Sequence, residues 1–177
     1  MAYLQPLPRD RVSPELQAVY DEIQQAYGMV PNLFKTAAHH PPLLKANWEK
    51  IKGIMTGGQL PRPLKESIAL LVSKDNGCQY CIRAHTQALK ALRVSEAEIE
   101  ALYQERFEAT GYGDKAVTLI RLARWANSAP NDMPGDAFRK AQDAGATEAE
   151  IVEALGVMEV FAAFNKFLYA VAVEIDF

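Results

Sequence analysis

Apolar residues recur every three or four positions through most of this chain, and no window alternates apolar and polar residues strictly enough to make a strand. That periodicity predicts an all-α fold. Leu16, Val19, Tyr20, Ile23 and Tyr27 follow Ser13-Pro14, an N-cap and a proline tolerated at the first helical position, and Gly28 closes this first helix. MVPNLFK and the stretch through His39-His40-Pro41-Pro42 read as a loop with one short helical turn. Leu43, Leu44, Trp48, Ile51 and Met55 then mark a second full helix that ends at Gly57-Gly58. After Pro61 and Pro63, a helix carrying Leu64, Ile68, Leu71 and Val72 must stop near Asn76-Gly77, a pair that favours a left-handed C-cap. The next helix runs from about Cys78 to Leu92. Ser95 and Glu98 form a capping box for another. Residues 104 to 113 are a polar connector, Val117, Ile120, Ala123 and Trp125 mark a further helix, and Pro134 starts a short one. A second capping box at Thr147 and Glu150 opens a long apolar helix through Val173.

A weak internal repeat runs through this plan. Ser95-Glu96-Ala97-Glu98-Ile99 and Thr147-Glu148-Ala149-Glu150-Ile151 match at an offset of 52, and the same offset lays the helix of residues 64 to 76 on the one beginning near Lys115. Cys78, Cys81 and His85 then fall on Pro130, Met133 and Ala137, so the second copy keeps the frame and lacks the chemistry. At 177 residues one continuous core is the default. The expected organisation is a single domain over 1–177: N-terminal helices in 1–60, a cysteine-containing unit in 61–103 and a second helical unit in 114–177.

Charge and hydropathy exclude several functions. Nineteen Lys and Arg against 22 Asp and Glu give a net charge of −3, and no basic run supplies the footprint of a nucleic-acid partner. The longest apolar run, Phe167 to Val173, is far short of the roughly 20 residues of a membrane helix. MAYLQPLPRDR has no apolar signal core, so a cytoplasmic protein is expected.

Function is read from Cys78 and Cys81, the only cysteines. In a reducing compartment a pair three residues apart points to redox or metal chemistry, not to a structural staple. With His85 they stand at i, i+3 and i+7, on one helical face. The chain reverses at Asn76-Gly77, and an antiparallel neighbour places Glu66 roughly level with His85. A helix start and an adjacent base both lower a thiol pKa. His85 is one turn from Cys81 and two from Cys78, which assigns Cys81 as nucleophile, Cys78 as resolving thiol, His85 as base and Glu66 as its orienter. Blander readings exist for each: two buried small cysteines, a satisfied core histidine, a solvated carboxylate. Tyr80, Asn165 and the Phe161, Phe164, Phe167 cluster read as core and helix contacts, and His39-His40 as a loop pair. C-x2-C-x3-H offers three ligands where structural zinc takes four, so metal is the minor alternative.

Leu64-Lys65-Glu66, Asn76-Gly77-Cys78-Gln79-Tyr80-Cys81 and Ala84-His85-Thr86 resemble the core motif of the AhpD-like alkylhydroperoxidases, within the carboxymuconolactone decarboxylase superfamily. The resemblance extends to YGMVPNLFK before the motif and to Ala163-Phe164-Asn165-Lys166 after it, in the length and order of the peroxidase-related branch. It implies a bundle of repeated helical units, a homo-oligomer (trimer or hexamer) with its thiols near subunit contacts, and a cofactor-free peroxidase. It also implies Cys81 as the peroxidatic residue, Cys78 as the resolving one, a proton relay of Glu66 and His85, and dihydrolipoamide on a carrier protein as reductant. The chain departs from AhpD at Tyr80, where AhpD has a histidine. The expected activity is reduction of alkyl hydroperoxides or hydrogen peroxide; the alternatives are a protein disulfide oxidoreductase and a metal-binding or structural helical oligomer.

Overall fold

The computed structural model describes residues 2–177 and contains no strand among them. α1 (Pro14–Tyr27), α2 (Asn32–Ala37) and α3 (Pro41–Thr56) precede a bundle of α4 (Arg62–Asp75), α5 (Gln79–Ala91), α6 (Glu96–Tyr103), α7 (Asp114–Ser128), α8 (Ala137–Asp143) and α9 (Glu148–Ala170). No helix among the described residues is long and apolar enough to cross a membrane.

α4 is the axis of the bundle. Residues 64 to 73 are buried without interruption, because α5, α7 and α9 pack around the helix and leave it no solvent face. A helix enclosed on every side must give each of its polar groups an internal partner. Lys65 is paired with Glu153 of α9 and donates to the carbonyls of Ile54 (2.9 Å) and Gly57 at the end of α3. Ser67 shares a 2.8 Å hydrogen bond with the Tyr112 hydroxyl, and Ser73 accepts from the Asn165 amide at 3.1 Å. Glu66 is turned to the opposite side, toward α5.

The offset of 52 reappears in three dimensions. α4 begins at 62 and α7 at 114, and the capping boxes at Ser95 and Thr147 open α6 and α9, each with its Ser or Thr hydroxyl accepting from the N3 amide at 3.2 Å. α4 and α7 lie against each other, tied by Arg124 donating to both carboxylate oxygens of Asp75 at 2.7 Å. The copies diverge between the caps, where α5 is a full helix and its counterpart is a 3-10 turn (Pro130–Asp132) followed by the short α8.

Four sequence-based boundaries shift. The segment read as a loop with one turn contains α2, with Leu33 and Phe34 buried on α3. Cys78 is the N-cap of α5, not part of it. The turn at Pro134-Gly135 delays α8 to Ala137. α9 ends at Ala170 because Ala172 adopts φ +49, and the Val173 amide turns back to the Leu168 carbonyl at 3.1 Å. No glycine or proline marks that stop, so apolar periodicity overran it. The remaining residues, 171 to 177, fold back toward α2.

Candidate active site

The α4–α5 turn positions the thiols. Asn76 caps α4, Gly77 takes φ +70, where a side chain would be strained, and the Cys78 amide donates to the Ser73 carbonyl at 2.9 Å. Cys78 thus occupies the N-cap of α5, a position ordinarily held by Ser, Thr, Asp or Asn because its side chain meets unpaired amides. Its sulfur makes no capping hydrogen bond, but the nearby amides of Tyr80 and Cys81 help to lower its pKa. Both cysteines are reduced and buried, each 4% exposed.

The two thiols set each other's ionisation. The hydrogen bond from the Cys81 thiol, helped by the backbone amides and by the Asn165 carboxamide, pulls the Cys78 thiol down to about 7 against the cost of burial. The same hydrogen bond, burial and the neighbouring negative charge push the Cys81 thiol up. Ionisation of the pair is therefore eased at Cys78, at the helix start, and opposed at Cys81, the sulfur nearer His85 along the helix. Cys81 is the sulfur that opens on the cavity.

Glu66 and His85 meet as the antiparallel arrangement requires: His85 Nδ1 lies 2.7 Å from Glu66 Oε2. With Nδ1–H donating to the carboxylate, Nε2 is the ring nitrogen left to exchange a proton. The ring stands edge-on to Phe161, with centroids 4.3 Å apart. Burial raises the pKa of Glu66, but the hydrogen bond from His85, with the charges of His85 and Arg62, outweighs it and holds the carboxyl below its usual range. Arg62, one turn earlier on α4, donates from Nε to Glu66 Oε1 at 2.7 Å and from Nη1 to the Met55 carbonyl at 3.1 Å. Arg62, Glu66 and His85 thus form one chain of charge-assisted contacts along the cavity wall.

Three contributors escaped the sequence reading. Arg62 stands at i−4 from Glu66, a spacing that marks an ion pair. Asn165, read as a helix contact, is 2% exposed; its carboxamide donates to Ser73 at 3.1 Å, accepts from Asn76 at 2.9 Å and lowers the pKa of both neighbouring thiols. Its signal was a lone amide in the apolar run AAFNKF. Tyr80 is no relay member. Its hydroxyl donates to Asp176 Oδ1 at 2.9 Å and accepts from the Leu33 amide at 3.4 Å, and burial drives its pKa further up. His39 and His40 lie away from the thiols: His40 Nδ1 accepts from the Leu43 amide to cap α3, and His39 Nε2 lies 2.9 Å from the Gln5 carbonyl. Among the described residues, no three His, Cys, Asp or Glu side chains are arranged to hold a metal ion.

In front of Cys81 lies a cavity of about 480 Å³, walled by Phe34, Met55, Phe161, Phe164 and Phe177 among others, with Arg62, Glu66 and His85 on one side. Such a site presents a nucleophilic sulfur, a second sulfur within bonding reach and a proton carrier to a small organic molecule.

Residues 41–125 match the model of the carboxymuconolactone decarboxylase family. Over 89 residues, 50% of the chain, the sequence is 29% identical to alkyl hydroperoxide reductase Rv2159c of Mycobacterium tuberculosis; the matched part is 26% of that protein, so the chain spans about a quarter of its length. The fold matches an uncharacterized peroxidase-related protein with an alkylhydroperoxidase AhpD core from Ralstonia eutropha JMP134, at a TM-score of 0.88 and 19% identity over 99% of this chain and 92% of that one. It also matches the debrominase Bmp8 in complex with 2,3,4-tribromopyrrole, at a TM-score of 0.83 and 22% identity over 98% and 91%.

Proposed function

We propose that this chain, whose residues 41–125 match the carboxymuconolactone decarboxylase family model and whose fold is AhpD-like, is a thiol peroxidase acting through Cys81 and Cys78. The observation that carries this reading is the reduced pair itself: one sulfur at a helix N-terminus, its pKa drawn down, the other opening on an organic-sized cavity beside His85 and Glu66.

The proton on Cys81 passes along the sulfur–sulfur hydrogen bond to Cys78, and the Cys81 thiolate attacks the terminal oxygen of a hydroperoxide. The O–O bond breaks, Cys81 becomes a sulfenic acid, and the departing alkoxide takes the Nε2 proton of the His85 imidazolium to leave as the alcohol, a proton that His85 regains from solvent before the next turnover. The Cys78 thiol then attacks the Cys81 sulfenic sulfur. Water departs, made from the sulfenic hydroxyl and the Cys78 proton, and the disulfide remains. An external dithiol of the dihydrolipoamide class supplies two electrons and two protons to restore both thiols. Glu66 holds the imidazole in the tautomer that exchanges protons at Nε2, and Arg62 holds Glu66.

A protein disulfide oxidoreductase would need a sulfur reachable by another protein's disulfide, and both sulfurs are almost fully buried. That favours a small-molecule oxidant. The test is peroxide consumption by the reduced protein with dihydrolipoamide as electron source. Cys81→Ser should abolish it, and Cys78→Ser should leave one sulfenic acid that dimedone traps on Cys81. Peroxide consumption that survives Cys81→Ser would defeat the assignment.

A further inference from the structure

Hydrogen peroxide would leave most of this site empty. A liquid-water share of roughly 30 Å³ per molecule implies that a two-oxygen peroxide occupies only about a tenth of the 480 Å³. The remaining wall is mostly aromatic, aliphatic and thioether surface, with Gln87 as a neutral polar member, and it gains contact mainly from an apolar body.

The cavity also lacks a cation to spare. Arg62 is its lining lysine-or-arginine group, and that guanidinium is spent: Nε and Nη2 lie on Glu66 Oε1 and Nη1 on the Met55 carbonyl. Glu66 in turn takes His85. A carboxylate on the body of the ligand, away from His85, would enter a largely apolar space with no counter-charge to offset its desolvation.

One wall comes from the far end of the sequence. Asp176 Oδ1 accepts from the Tyr80 hydroxyl at 2.9 Å and Oδ2 from the Asn32 amide at 2.8 Å, while the Asn32 side chain donates to the Glu174 carbonyl at 3.2 Å. These bonds lay the Phe177 ring edge-on to Tyr80, centroids 4.9 Å apart, at the cavity. The residue between the two cysteines thus anchors the ring that faces the ligand.

We propose that the site takes a neutral organic substrate whose body is a compact aromatic or branched apolar group, its reacting end at Cys81, and that Phe177 is the specificity-determining wall against which this body packs. That the reacting end is a hydroperoxide rests on the function proposed above; the neutrality and shape rest on the cavity alone.

The test separates the two. Calorimetric titration of the reduced protein uses 2-phenyl-2-propanol, the unreactive alcohol of cumene hydroperoxide, and its 4-carboxylate. The neutral alcohol should bind at least tenfold more tightly, and Phe177→Ala should weaken it about fivefold to tenfold, with Phe177→Leu recovering part of the loss. In turnover, kcat/KM for cumene hydroperoxide should exceed that for hydrogen peroxide at least tenfold, and Phe177→Ala should shrink that ratio at least fivefold through KM. A carboxylate that binds as well as the alcohol, an alcohol that does not bind, or a Phe177→Ala protein indistinguishable from the parent in binding overturns the proposal. An alcohol that binds as stated to a protein that no peroxide oxidises supports this site and sinks the peroxidase reading.

Discussion

Asn165→Leu tests the electrostatics of the thiol pair most directly. The substitution keeps the branched outline of a buried α9 side chain in a somewhat larger volume but removes the carboxamide that lowers the Cys78 thiol. A hydrogen bond to a charged group contributes about 1.5 to 3 kcal/mol, and 1.36 kcal/mol corresponds to one pKa unit. The Cys78 value should therefore rise by about one to two units from about 7. Below this midpoint the thiolate takes up a proton and nucleophilicity is lost, so a rising midpoint removes thiolate at neutral pH. At pH 7 the charged fraction falls from about one half to between roughly a tenth and a hundredth, slowing alkylation about fivefold to fiftyfold. The assay is the pH dependence of iodoacetamide modification, with the labelled cysteine identified by mass spectrometry. Ser73 and Asn76 also lose a partner, so a thermal melt must show the variant folded at the assay temperature. A folded variant whose midpoint moves by less than about 0.3 unit would refute the reasoning.

Glu66→Gln and His85→Ala should each slow peroxide turnover, and the double variant should lose less than the sum, as members of one unit do; fully additive losses would break the relay. Arg62→Met should lower turnover while leaving the thiol midpoint within about 0.5 unit, because Arg62 reaches Glu66 and not the sulfurs; a larger shift measured by the same alkylation profile would contradict this. Lys65→Met leaves Glu153 without its cation, with only the Gln59 and Leu60 amides to hold it, and breaking a buried pair costs roughly 3 to 5 kcal/mol. Calorimetry should show Tm lower by about 6 to 20 °C, partly restored by adding Glu153→Gln. Val152 and Tyr169 on α9 are 69% and 79% exposed; a homo-oligomer covering them is expected in sedimentation, and a species at the mass of one chain across a concentration series would remove that expectation.

The fold was legible where local chemistry is unambiguous. Ser95 and Thr147 opened their helices, Asn76-Gly77 closed α4, and the two-copy plan could be seen from one repeated pentapeptide because capping boxes are set by side chains three residues apart. α9 overran because its stop depends on Ala172 in a left-handed conformation, which no residue type announces. At the site, helical spacing was enough to align Glu66 with His85. The proton distribution between the sulfurs was not readable, since it depends on Asn165, which lies 84 to 87 residues away in sequence and reaches the thiols only through the packing of α9 on α4. The Tyr80 latch was hidden for the same reason, with its partner Asp176 far along the chain.

Asn76-Gly77 carries a consequence for how this protein ages. In a flexible chain, an asparagine before glycine is the pair most prone to deamidation, because the Gly nitrogen is free to attack the side-chain carbonyl. Neither group is free here. The Asn76 carboxamide donates to Asn127 and Asn165 at 3.0 and 2.9 Å, and the Gly77 amide is committed to the Lys74 carbonyl at 3.0 Å. The fold stops a chemical clock that unfolding restarts, so isoaspartate at position 76 would accumulate in proportion to time spent open. Each such lesion would set a new carboxylate against Asn165, the amide that steadies the thiolate, and a molecule that had once unfolded and refolded would keep a mark of it beside its own active sulfur.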